Sequence, residues 1–153
     1  MRLKDEVVIE ATSDKVWEYV GSPEMWPLFH AKAGECKQVS PQADVIGAQY
    51  EIEFRLGSKT AVTRCEIIDR RVGRLIIVKS TLPETNRQTE RPISACMTYE
   101  LEDFGHTTKV TEGIDISGAS IPLILRPLIW FITRFGKPSG KTTLIRLKRV
   151  VEE

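Results

Sequence analysis

A chain of 153 residues with 22 lysines and arginines against 21 aspartates and glutamates, net charge +1, is one domain by length. That balance, with no basic stripe interleaved with aromatics, excludes an electrostatic argument for nucleic acid or an acidic partner. Cys36, Cys65 and Cys96 are odd in number and lack the paired spacing of a zinc or redox centre, so reduced thiols, no metal and no cofactor are expected.

Met1 to Glu6 is charged and runs straight into a strand, so no secretory signal is read there and a cytoplasmic location is the expectation. Leu3 to Ala11 reads as that strand, with Val7 and Ile9 on one face and Val8 on the other. Thr12 and Ser13 are N-cap residues, Asp14 suits the positive first turn, and Val16, Trp17 and Val20 give a short helix its apolar face until Gly21 ends it. Ser22 before Pro23 starts a second short helix, rich in Met25, Trp26, Leu28 and Phe29. Two short helices directly after one strand make a corner. His30 ends the second of them near the mouth of the fold, where it could touch ligand or solvent, and solvent is the expectation.

From Glu35 the pattern changes to period two, which predicts an antiparallel meander. Its strands are Glu35 to Ser40, Ala48 to Leu56, Thr60 to Arg70, Arg74 to Ser80, Ser94 to Glu102 and Thr107 to Ser117. Turns fall at Pro41 to Gly47, Gly57 to Lys59, Arg71 to Gly73 and Asp103 to His106, where His106 is expected to be solvated. Leu82 to Pro92 reads as a longer loop. Alternation puts Tyr50, Ile52, Phe54 and Leu56 opposite Glu51, Glu53 and Arg55, and puts Ala95, Met97, Tyr99 and Leu101 opposite Glu100 and Glu102.

The C-terminal stretch, Ser120 to Glu152, opens with the apolar block Ile121 to Phe135, broken by Pro122, Arg126, Pro127, Thr133 and Arg134. It is too short and too interrupted for a bilayer span, which takes roughly 20 predominantly apolar residues. At helical period Leu125, Ile129, Ile132, Gly136, Gly140, Leu144, Leu147 and Val151 share one side. Two glycines in that stripe leave room beneath a continuous helix; alternatively, Pro138 and the glycines break it in two. The outer face, with Trp130 and Phe131, suits a homodimer contact or a membrane-surface contact. Ser139-Gly140-Lys141-Thr142 looks like the end of a P-loop, but Phe135 stands where the first glycine belongs and no strand precedes it.

One strand, two short helices, six strands and a long helix give an α+β domain spanning 1–153, in which the terminal helix covers the apolar face of a curved antiparallel sheet. The opening Val7 to Val20 (VVIEATSDKVWEYV), the Trp26-Pro27 that follows and the closing Leu144 to Val151 (LIRLKRVV) resemble the polyketide cyclase/dehydrase branch of the START-like (Bet v 1-like, SRPBCC) superfamily. The resemblance implies the helix-grip fold and an internal cavity for a hydrophobic ligand such as a lipid, sterol, quinone or polyketide. Members range from carriers to cyclases, so it implies binding more firmly than any reaction.

Glu112 shares a strand face with Val110, Ile114 and Ile116, so its carboxyl either points into the apolar side or is rescued by a cation, a strand end or a bulge. Inside, desolvation would raise its pKa and fit it for proton transfer in a cyclase or dehydratase. Tyr50 and Tyr99 face inward by the same alternation and would offer phenols to a ligand or simply pack. Thr63, Cys65 and Ile67 also face in, with Cys65 as a small filler rather than a nucleophile. The expected ligand-binding set is Tyr50, Ile52, Phe54, Thr63, Cys65, Met97, Tyr99, Glu112, Ile114, Leu125, Ile129, Gly136 and Gly140, with Glu112 the candidate catalytic residue.

Overall fold

A computed structural model of the chain describes residues 2–56, 59–81, 94–117 and 137–153. Among them, seven strands form one antiparallel sheet: β1 (Arg2–Ile9), β2 (Ala33–Gln38), β3 (Gln49–Leu56), β4 (Lys59–Arg71), β5 (Leu75–Thr81), β6 (Ser94–Asp103) and β7 (Thr108–Ser117). Their spatial order is β1-β7-β6-β5-β4-β3-β2. Strands two to seven thus run as a meander, and β1 closes against the last of them. Helix α1 (Ser13–Val20) and a 3₁₀ helix (Pro23–Leu28) form the corner after β1, and α2 (Lys137–Glu152) packs on the apolar face.

Local chemistry explains these boundaries. Thr12, in extended conformation, caps α1 by accepting from the Lys15 amide at 3.4 Å, and Gly21 ends it with its amide on the Trp17 carbonyl at 2.8 Å. The next helix is of the tighter 3₁₀ kind, with Pro23 at its start and Pro27 inside it. β1 stops at Ile9, two residues earlier than the alternation predicts, where the Ala11 amide turns back onto the Ile9 carbonyl at 2.9 Å. β2 lies two residues earlier than expected, since the Ser40 hydroxyl accepts from the Gln49 amide and donates to the Gln42 carbonyl, making Ser40 part of the turn. Gly73 and Gly105 take φ of 77° and 89° in their hairpin turns, a region that costs a side chain dearly.

The period-two reading of faces holds. Tyr50, Ile52, Thr63, Cys65, Ile67, Met97, Tyr99, Leu101, Val110 and Glu112 are buried on the concave face, while Glu100, Glu102 and Arg55 are exposed on the other. Exposed pairs on the convex face, Glu51 with Arg64 at 3.7 Å and Glu6 with Lys109 at 3.1 Å, contribute little to stability. Leu144, Leu147 and Val151 face the core from α2, as the stripe predicts, and the described helix from Lys137 to Glu152 includes Pro138 and Gly140, while the join to the preceding apolar block lies outside the described residues. The expected residues Leu125, Ile129 and Gly136, the Trp130–Phe131 outer face and the Leu82–Pro92 loop lie outside the described residues.

Because Leu147 is 0% exposed and Ile145 is 46% exposed on the same helix, Leu147→Ala should cost about 2–5 kcal/mol in urea unfolding. Ile145→Ala should change stability by no more than about 0.5 kcal/mol.

Candidate functional site

The polar centre of the concave face is built by three strands. Tyr99 on β6 and Glu112 on β7 are cross-strand partners, so their side chains leave the sheet on the same side. The Tyr99 hydroxyl donates to Glu112 Oε2 at 2.6 Å. Glu112 is 3% exposed. Burial raises its pKa, the bond from Tyr99 lowers it, the charge of Asp5 raises it again, and the result is about 7. Burial, and next the adjacent Glu112 charge, push the Tyr99 phenol well above its ordinary value, so the phenol keeps its proton and acts as the donor. Among the described residues, Glu112 Oε1 takes no hydrogen bond.

The corner holds Tyr99 in place. Its ring meets the edges of Trp26 and Phe29 at 5.3 Å and 6.0 Å between centroids, with interplanar angles of 69° and 78°. Trp26 is itself fixed by its indole N–H on the Val20 carbonyl at 3.0 Å. The aromatic content of the short second helix therefore has a positional consequence: it presses on the tyrosine that binds the buried carboxyl.

Other expected site residues have different surroundings. The Tyr50 hydroxyl accepts from the Asp44 amide at 2.8 Å and donates to the Asp44 carboxylate at 3.2 Å, so it ties down the turn between β2 and β3. Asp44 has φ of 57° there, a left-handed conformation that this bond helps hold. Burial, with Asp44 beside it, pushes the Tyr50 phenol up to about 12. The Thr63 hydroxyl donates to the Ile52 carbonyl at 3.2 Å, and Cys65 Sγ lies 3.2 Å from the Ser80 hydroxyl. Burial raises the Cys65 thiol, which agrees with a packed filler rather than a nucleophile. Ile52 is buried, Met97 nearly so, and Phe54 and Ile114 pack against the core at partial exposure. Gly140 lies within α2.

His30 corrects the sequence reading. It is 8% exposed rather than solvated, with its ring edge-on to Phe54 at 5.7 Å. Its Nδ1 accepts from the Lys32 amide at 3.2 Å, which assigns the proton to Nε2. Burial, then the Lys32 charge, lower its pKa to about 4, so the imidazole is neutral at physiological pH. The 3₁₀ helix folds it inward, and one-dimensional spacing gives no sign of that. His106 is exposed, as expected.

Sequence reasoning missed Asp5. β1 pairs with β7 so that Asp5 stands directly opposite Glu112 and on its face of the sheet. Carrying the alternation of Ile9 and Val7 two residues further back would have found it.

The comparisons with known proteins agree with this architecture. Residues 1–152 match the family described as polyketide cyclase / dehydrase and lipid transport. The chain belongs to that family. Its fold is similar to that of TTHA0849 from Thermus thermophilus, with a TM-score of 0.70 at 13% identity over 99% of this chain and 97% of that one. It is also similar to Ara h 8.0201, with a TM-score of 0.67 at 10% identity over 99% and 97%. Ginseng major latex-like protein 151 from Panax ginseng gives a TM-score of 0.67 at 14% identity over 99% and 95%. Together these place the chain in the helix-grip, Bet v 1-like fold. Among curated proteins, no sequence matches the chain. No helix among the described residues is long and apolar enough to cross a membrane.

The raised pKa of Glu112 makes stability depend on pH. The group titrates near 4.5 when exposed and at about 7 in the fold, so the folded state holds the proton more tightly. Its stabilising contribution is complete below about pH 4.5, falls as pH rises to about 7, and is constant above that. Urea unfolding of the wild type should show roughly 3 kcal/mol of this loss. Glu112→Gln, measured over the same range, should lack it.

Proposed function

We propose that the concave face beneath α2 binds a hydrophobic small molecule, of the lipid, quinone, sterol or polyketide kind, and that Tyr99 and Glu112 are its polar contact. The observation that carries this reading is the buried Tyr99–Glu112 bond at 2.6 Å, with the second carboxyl oxygen free of hydrogen bonds among the described residues. Among the described residues no buried side-chain oxygen or nitrogen lacks a partner, so the carboxyl is held by Tyr99 within the fold and a polar ligand group would add a contact at its second oxygen. Family membership supports the same reading, because the family joins polyketide cyclases and dehydrases with lipid transport. Affinity would come from apolar area, at roughly 25 cal/mol per Å² before ordering costs, and orientation from the carboxyl.

A second reading is favoured by one specific property. A carboxyl of pKa about 7 next to a phenol can both accept and return a proton at neutral pH, which is what a cofactor-free cyclase or dehydratase needs. Binding ranks first because such an enzyme needs at least two proton-transferring groups around the substrate, and the hydroxyl protons of Tyr99 and Tyr50 are already given to Glu112 and Asp44.

Native mass spectrometry of the purified protein, followed by denaturing extraction, tests the binding reading. A stoichiometric apolar molecule is expected, with Glu112→Gln retaining less of it than wild type. A chain that carries nothing and takes up no fluorescent lipid, sterol or quinone analogue would overturn it.

A further inference from the structure

The His30 imidazole stands on the inward side of the sheet, in the seam where the end of the 3₁₀ helix meets β3 and α2. Its ring lies edge-on to Phe54, which packs against the core from β3, and the amide of the next residue, Ala31, donates to the buried Thr143 hydroxyl of α2 at 3.1 Å. The residue is only 8% exposed. Its two nitrogens are placed differently. Nδ1 accepts from the Lys32 amide at 3.2 Å, which leaves the proton on Nε2. Among the described residues Nε2 has no hydrogen-bond partner, and no fully enclosed side-chain nitrogen or oxygen is without one. Nε2 is therefore the corner of a buried ring that opens onto accessible space, and it presents a donor there.

Two properties define what that donor takes. The imidazole is neutral at physiological pH, its pKa lowered to about 4 by burial and then by the Lys32 charge, so Nε2 has one proton to give and the ring no charge of its own. The Lys32 ammonium supplies a positive field beside it: its charge is felt at the ring, the residue is half-buried, and among the described residues it is in no salt bridge. A protonated amine would offer Nε2 no acceptor and would be repelled by Lys32. An alcohol would accept the proton but gain little from the charge. A carboxylate accepts with a charge-assisted bond, roughly twice as strong as a neutral one, and is attracted by Lys32 as well. Glu112 does not oppose it at close range, because β4, β5 and β6 lie between β7 and β3. We propose that the polar end of the ligand is a carboxylate that accepts from His30 Nε2 beside Lys32, so that the site takes up apolar acids of the fatty-acid kind. This adds a second polar contact to the ligand site of the concave face and rests on that reading.

The test holds the apolar part constant. Decanoic acid, decanol and decylamine are titrated into the full chain by calorimetry at about pH 7, where the acid is ionised and the imidazole neutral. Decanoate should bind at least about tenfold more tightly than either of the others. His30→Asn, which keeps an oxygen near the place of Nδ1 and has nothing that reaches to Nε2, should remove most of that advantage while changing decanol affinity by no more than about twofold. Nitrogen-15 spectra of the wild type add a readout that a merely structural His30 would not move. The chain has two histidines, and decanoate should shift the Nε2 resonance of His30 while leaving that of exposed His106 in place. If decanoate binds and Nε2 of His30 does not shift, His30 is packing and this proposal is wrong while the binding reading stands. Decanol or decylamine binding as tightly as decanoate would overturn the preference for a carboxylate. Failure of all three to bind would overturn the proposal together with the reading beneath it. The wild-type titrations and spectra decide even if the variant does not fold.

Discussion

The constraint on which the architecture turns is a carboxyl inside an apolar face. Glu112 lies among Val110, Ile114 and Met97 on a sheet whose concave side is otherwise core, and an unsatisfied charge there would cost several kcal/mol. The fold answers with a single short hydrogen bond from Tyr99 and with a pKa raised to about 7, so that the group is neutral for part of the time at physiological pH. Tyr99 holds its position because Trp26 and Phe29 press on its ring, and Trp26 because its indole is bonded to the end of α1. The corner, the sheet and the buried acid are one connected arrangement.

That arrangement also separates structural from functional polarity. Tyr50, Thr63 and Cys65 occupy inward positions as good as those of Tyr99 and Glu112, yet each has a hydrogen-bonding partner in the protein that accounts for it. Tyr50 braces a turn containing a left-handed aspartate. Glu112 is different, because its one bond uses one of two oxygens and its opposite neighbour is another acid. Retaining a carboxyl there is costly to stability at neutral pH, as its raised pKa records.

Much of this was legible in the chain because a sheet with one buried face imposes period two on its sequence. Alternation alone put Tyr99 and Glu112 on the inner side, and the stripe through Leu144, Leu147 and Val151 gave the inner side of α2. Alternation cannot supply register, however. That Glu112 stands between Tyr99 and Asp5 follows only once β7 is paired with both β6 and β1, contacts far apart in sequence. His30 was misread for a related reason: its burial depends on how the 3₁₀ helix folds back over Phe54, and no local pattern encodes that. At 10–16% identity the structural relatives carry the fold and leave the chemistry to be argued from these side chains.

The account depends most on Glu112 being a buried acid restrained by Tyr99, and a carbon-13 NMR titration of its carboxyl group measures this directly. The expected midpoint in wild type is about 7, and because the bond from Tyr99 lowers it, Tyr99→Phe should move it higher still. A wild-type midpoint near the ordinary 4.5, unmoved by Tyr99→Phe, would contradict the account by showing that Glu112 is solvated and that the concave face lacks its polar centre.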